Sequence, residues 1–499
     1  MASFLLYLSA TVLLAQSTVA SNCTKKPIYV DIHKRAVHDS PVFQYGSFIG
    51  LGTPAQNQSL WPSLQQNHTS FASSDYCKDN TTLRNCDRST GGFFSPQEST
   101  SFEEREDFQT LDKAQDEFSG TFGQETLRLY THYFETDGAS QTLVENSTIE
   151  VATSGSITPG RVGIGFSSTL MQDLVVQDII AGKTYSLYIG HGFDRAGGVV
   201  NGSNVFGGYD SGRFTGVPHQ YPMNIANPNP MSVRIKDIII TTGSGSGSGS
   251  NTNTSLFDNS IFTDMESRAS DFEAQITTEQ FPLSLPYQIT QNFIKHLDAE
   301  QDNTWGDDSL KLPSRFNGTL SIVLEDGFTV TLPPEVLANA SNITPIQSRN
   351  ESATSPFYLG TAFLAQVYLM ADFETSNFYL APAVQKNNMV MPVTFCPKSV
   401  PVAYQRPKQS EWQKQGLIGA VIGGVIGGLA CLAAGYCVWI TWMRRKDERR
   451  LRRELKRNSQ RKMEQMELED ALPRFDPPPK SVNAAKAMFW RKNKPGTTF

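Results

Sequence analysis

The chain of 499 residues exceeds one ordinary domain, and its 39% hydrophobic content supports a sizeable core. Its formal charge of −6 conceals a split: from Met443 onward there are 17 Lys/Arg against 8 Asp/Glu, leaving 26 against 41 for the rest. An acidic body joined to a basic tail argues against a nucleic-acid partner and for a chain that crosses a membrane.

In chain order, Phe4 to Ala15 is mostly apolar, and Thr18-Val19-Ala20 supplies the small residues a signal peptidase reads. Residues 1–20 therefore read as a signal peptide, although no Lys or Arg precedes the apolar run; a buried N-terminal helix is the weaker reading. A short segment, 21–42, follows, with the dibasic pair Lys34-Arg35 inside it. Beyond it the chain reads as β-rich. Runs such as Ser232–Thr241, Leu320–Leu324 and Phe328–Leu332 set β-formers between Gly, Asn and Pro. Two helices are expected, Met171–Ile180 and Tyr287–Leu297. Gly243 to Ser250 is a strict Gly-Ser repeat and, with the polar residues through Ser255, reads as a flexible loop over 243–255.

From Gly416 to Trp442 no residue is charged, long enough to cross a hydrocarbon core of ~30 Å. Met443-Arg444-Arg445-Lys446 follows at once, so the far side is expected to be cytosolic. The expectation is a single-pass type I protein of the plasma membrane or a secretory-pathway membrane. Residues 396–415 read as a juxtamembrane stalk and 443–499 as a basic, largely disordered tail. Gly419, Gly423 and Gly427 recur every four residues, beside Ala420, Gly424 and Gly428, so a homodimer through this face is expected. From Arg444 to Lys462 there are eleven basic and three acidic residues, with Leu451 and Leu455 at helical spacing. That run is expected to touch anionic lipid, with simple orientation as the blander reading.

Sequons agree with this topology. Asn22, Asn57, Asn67, Asn80, Asn146, Asn201, Asn253, Asn317, Asn339, Asn342 and Asn350 all satisfy N-x-S/T, and none lies beyond the apolar span. Four cysteines precede the span. Cys77 and Cys86 close a short loop and are expected to form a disulfide, while Cys23 and Cys396 bracket the ectodomain and could pair by elimination. Cys431 and Cys437 lie within the span, and the cysteine spacing is wrong for zinc.

Several segments together carry a family resemblance. Phe48 to Gln56, with its Gly52-Thr53-Pro54 turn, resembles the first hairpin of the pepsin-like aspartic proteases. Phe118 to Gly123 stands where that family carries its flap, and Arg161 to Gly165 with Leu170 to Ile180 is similar to the strand and helix closing the first lobe's motif. Tyr185–Ile189 and Asn204–Asp210 look like interlobe strands, and Phe357 to Asp372 matches the close of the second lobe. The resemblance covers about Phe43 to Ala383 in order. It implies a mainly β, bilobal fold, with a first lobe at 43–216 and a second at 217–395.

The family's chemistry needs two aspartates, one per lobe, sharing a proton across a bound water. Each sits on a turn whose glycine permits close approach. By the family's spacing the first should stand at Ser63 and the second at Thr277. The turns read Ser63-Leu64-Gln65-Gln66 and Thr277-Thr278-Glu279-Gln280, so both acids and both glycines are replaced, the latter by Gln65 and Glu279. Hydroxyls do not ionise in the useful range and cannot share a proton as carboxylates do. Glu279 alone would have no acid partner between Ser63 and Thr69, and the flap tyrosine reads as Phe118.

No metal, nucleotide or serine-hydrolase motif competes, and His68, His132, His191 and His296 are scattered; no cofactor is expected. Three functions remain. The first is a pseudoprotease holding an extended peptide or protein partner in its interlobe groove. The second is an active membrane-anchored aspartic endopeptidase with a non-standard dyad, and the third a surface sensor whose ectodomain is a spacer.

Overall fold

The computed structural model describes residues 23–470 apart from 41, 79–85, 110–117, 132–139, 156–157, 191–199, 243–251, 259–268, 303–307, 340, 386–389 and 406–410. The expected signal peptide, Asn22, Asn80, His132, His191, the Gly-Ser repeat and the tail beyond Asp470 lie outside the described residues. The chain divides into two units, residues 1–405 and 406–499.

The first unit is mainly β. A 14-stranded sheet runs in the order His219–Pro222, Asn377–Pro382, Val367–Asp372, Thr184–Tyr188, Gly202–Phe206, Ile28–Arg35 and Gln44–Leu51. It continues through Gln56–Ser63, Arg161–Gly163, Thr69–Ser73, Ser140–Gly155, Phe118–Thr131 and Glu103–Gln109. Three of these strands come from beyond residue 216, so this sheet draws on both halves of the chain. A second, 10-stranded sheet is built on Ser232–Thr242.

That strand shows how sequence pattern becomes register. Val233 and Ile235 are buried on odd positions, whereas Ile238 and Ile240 are buried on even ones. Strict alternation would expose one pair. The pairing with Thr319–Leu324 shifts register between Ile235 and Asp237, and this bulge returns Ile238 and Ile240 to the core.

The expected helices are present. Tyr287–Leu297 is helical throughout, entered at Pro286 and closed by Asp298 in the left-handed region at φ 48°. The other spans Thr169–Val176 and not Met171–Ile180. Ser168 moves its start earlier by accepting from the Met171 amide at 3.2 Å. Asp178, at φ 56°, stops it short of Ile180.

Two further expectations need correction. The last residues of the expected 243–255 loop, Thr252–Ser255, form a strand against Ile239–Thr242, where alternating Thr and Asn complete the backbone ladder. In the second unit, Glu411–Asp470 is one 60-residue helix, so 443–470 is ordered where a largely disordered tail was expected. The run from Met443 is rich in Arg, Lys, Glu, Met and Leu, with no Gly or Pro before Pro473, and Glu448 stands four residues before Arg452. Helix propensity therefore continues after hydrophobicity ends.

Both expected disulfides, Cys77–Cys86 and Cys23–Cys396, are formed, and Cys431 and Cys437 are free thiols on the long helix.

Candidate functional site

The site begins with two similar strand–turn–strand units. In the first, Gln56–Ser63 enters a turn and Thr69–Ser73 leaves it, with Arg161–Gly163 lying between those strands. In the second, Phe272–Ile276 enters and Leu283–Ser284 leaves, with Tyr358–Leu359 between them. The turn of each unit curls tightly over the strand it encloses. A Cβ on Gly163 would collide with the His68 carbonyl, and one on Gly360 with the Pro282 carbonyl. Further amides fix the turns: Gly165 donates to the Gln66 carbonyl at 2.7 Å, and Thr361 to the Gln280 carbonyl at 2.8 Å.

Ser63 and Thr277, the two positions assigned from the sequence, stand at the mouths of these turns and are fully buried. The turns meet across the seam. Leu64 donates its amide to Thr278 Oγ1 at 3.4 Å, and the Trp61 indole donates to the Thr278 carbonyl at 2.8 Å. Gln65 donates its side-chain amide to Thr277 Oγ1 at 3.1 Å, so a side chain of the first turn reaches the second.

Each hydroxyl is also committed within its own turn. Ser63 Oγ accepts from the Gln66 amide at 3.1 Å, and Thr277 Oγ1 accepts from the Glu279 amide at 3.1 Å. Such local bonds let a hydroxyl support a turn, where a carboxylate would add charge.

Glu279, in the second turn, forms an ion pair with Arg161 at 3.2 Å. Both side chains are largely sheltered, with exposures of 17% and 19%, so the pair is screened less than a surface one. The sequence analysis missed this contact. Its signal was a lone Arg opening a short apolar strand, opposite a turn that had acquired an acid.

A second carboxyl was missed altogether. Glu150 lies on Ser140–Gly155, in register with Ser70 on one side and Phe122 on the other. Ile149 and Val151, its neighbours in sequence, belong to the main core, so Glu150 points to the opposite face. It is 7% exposed, its carboxyl makes no hydrogen bond or ion pair with a described residue, and burial pushes it up to about 7. The nearby His68 ring packs edge-on against Phe122 at 5.2 Å, and burial lowers its pKa.

Phe118 opens the strand Phe118–Thr131, where it pairs with Gly155 and follows the hairpin made with Glu103–Gln109. Residues 110–117 and the Phe118 side chain lie outside the described residues. Among the described sequons, Asn67, Asn146, Asn201, Asn253, Asn317, Asn339 and Asn350 are exposed, while Asn57 and Asn342 are half-buried. Asn67, just past the first turn, uses its side-chain oxygen to accept from the Ser167 amide at 3.0 Å. Gly419, Gly423 and Gly427 lie on the long helix with no atom near the space a Cβ would take.

Comparison with known families agrees with this architecture. Residues 44–383 match the family described as eukaryotic aspartyl protease, and the chain belongs to that family. No curated protein matches it. The protein is thus a pepsin-like domain followed by a helix long and apolar enough to anchor it in a membrane.

Proposed function

We propose that this is a membrane-anchored pseudoprotease, a pepsin-like ectodomain that binds an extended peptide or a protein partner without cleaving it. The observation that carries this reading is the chemistry of the seam. Where two carboxylates would activate a water, Ser63 and Thr277 offer hydroxyls held by turn amides. The adjoining Glu279 is matched by Arg161, and Gln65 bridges to Thr277. A ligand would lie above this closed floor and beneath the Glu103–Gln109 hairpin. The ectodomain is read as glycosylated and facing the lumen or cell exterior, with a homodimer through Gly419, Gly423 and Gly427 and lipid contact through Arg444 to Lys462.

Full-length protein incubated with denatured substrate protein across acid pH should produce no cleavage sensitive to a transition-state-mimicking inhibitor. Cleavage that disappears in Glu279→Gln would establish the endopeptidase instead. Ser63→Asp combined with Thr277→Asp should remain inactive, because Gln65, Glu279 and Arg161 still fill the seam. Robust activity in that double variant would show that the floor is open enough for catalysis.

A further inference from the structure

The segment that leaves the pepsin-like domain carries an apolar stripe that stays exposed among the described residues. Val400, Val402 and Tyr404 are 54%, 61% and 38% exposed, while the alternate residue Pro401 is buried and Ala403 packs against a core cluster. This is the period-2 pattern of an extended segment with one face on the domain. The reversed burial is held in place by the backbone. Lys398 donates its amide to Asp372 at 2.8 Å, Val402 donates to the Tyr209 hydroxyl at 3.1 Å, and Tyr404 donates to the Ser211 carbonyl at 2.8 Å. The Cys23–Cys396 disulfide ties down its start. Val393, 40% exposed, stands opposite Tyr209 in the two-stranded ribbon, the same tyrosine whose hydroxyl takes the Val402 amide.

The chain itself limits what can lie against this stripe. Only residues 406–410 separate Gln405 from the helix that begins at Glu411, and its uncharged stretch starts at Gly416. Six residue steps reach at most about 20 Å, and five helical residues add about 8 Å. The lipid headgroup layer is therefore always within a short tether of Tyr404. The composition suits that layer: valines and a tyrosine, whose ring favours the interface, follow the exposed Lys398.

We propose that Val393, Val400, Val402 and Tyr404 form an interfacial foot that inserts at the headgroup layer of the bilayer. This rests on the helix being membrane-spanning and is independent of whether the domain cleaves or binds peptide.

The test uses the full chain in nanodiscs of phosphatidylcholine and phosphatidylserine, with Cys431→Ser and Cys437→Ser to remove the free thiols. A nitroxide is placed through Val402→Cys or Tyr404→Cys, and at Val176→Cys as an exposed site on the Thr169–Val176 helix. Labels at 402 and 404 should collide with oxygen, relative to a water-soluble nickel chelate, several-fold more often than the label at 176. Adding Val393→Ser and Val400→Ser should shift the ratio at 402 toward the aqueous value while the Cys23–Cys396 bond persists. Aqueous ratios at 402 and 404 in the parent protein would overturn the proposal. So would shielding from both reagents, which would mean that protein covers the stripe.

Discussion

The two turns at the seam occupy matching frames and hold different contents. Gly163 and Gly360 play the same part in each, as the residue over which a turn carbonyl closes. The residues two positions earlier diverge. Arg161 reaches across the seam to Glu279, whereas its counterpart Tyr358 turns back into its own half and donates to Gln347 at 2.6 Å. The middle residues differ as well: Thr278 accepts an amide from the opposite turn, but Leu64 has no hydroxyl with which to return the bond. Backbone geometry is therefore retained symmetrically while side-chain chemistry is not. A frame that needs glycine at fixed points tolerates little change, whereas the side chains around it are free to differ as long as the seam stays bonded.

The largest effect should come from breaking the shared frame. Gly163→Val and Gly360→Val each force a side chain into a turn carbonyl, and each should cost about 4 kcal/mol or prevent folding. Equilibrium denaturation, or the yield of folded protein, measures this. Tolerance of one substitution and not the other would show that the two frames are not equivalent.

Glu150 tests an asymmetry of another kind, a buried carboxyl in register with Ser70 beside the first turn. Its pKa is raised from 4.5 to about 7 in the folded protein, so the native state holds a proton that the unfolded chain releases. That stability is fully present below pH 4.5 and is lost as pH rises to about 7. The loss amounts to about 3 kcal/mol for a shift of this size. Glu150→Gln should match the parent near pH 4 and exceed it by about that amount above pH 7.5. Parallel stability–pH curves for the two proteins would remove Glu150 as the cause.

These features also mark what could be read from sequence. Counting from Gly52-Thr53-Pro54 and from Pro286 singles out Ser63 and Thr277, and in the fold each of these residues stands at the mouth of a turn. The isoleucine-rich strand was legible from composition, although its bulge was not, since a one-residue shift depends on the partner strand. Arg161–Glu279 joins residues 118 positions apart, and Glu150 becomes unusual only once its strand is buried on both faces. The helix beyond Met443 was not legible because its dense charge suggests solvated chain, whereas its Arg, Lys, Glu, Met and Leu are all good helix formers.

The ion pair comes next in size. Arg161→Met leaves Glu279 sheltered without its partner and should cost about 2 kcal/mol, less than a fully buried pair would. Adding Glu279→Gln to Arg161→Met should recover about half, because no uncompensated charge remains. Chemical denaturation of the two single variants and the double variant gives the coupling directly. Additive losses would mean that the pair is a surface contact with no part in holding the seam.

The smallest effect belongs to Thr278. Its Oγ1 accepts from Leu64 at 3.4 Å, long for a hydrogen bond, and its methyl group would survive replacement by valine. Thr278→Val should therefore cost only about 1 kcal/mol, most of it from leaving the buried Leu64 amide unpaired. The converse change, Leu64→Thr, supplies the missing hydroxyl to the opposite turn. If the frames are as alike as their backbones, that hydroxyl will find a donor across the seam and offset part of the lost leucine packing. Leu64 is itself fully buried, so the exchange should be near neutral or cost up to about 2 kcal/mol. The informative quantity is the slowing of hydrogen exchange at the turn amides. In Leu64→Thr the Thr278 amide should become better protected, and in Thr278→Val the Leu64 amide less. Protection changes confined to the substituted turn would show that the two halves are held by the Arg161, Gln65 and Trp61 contacts instead.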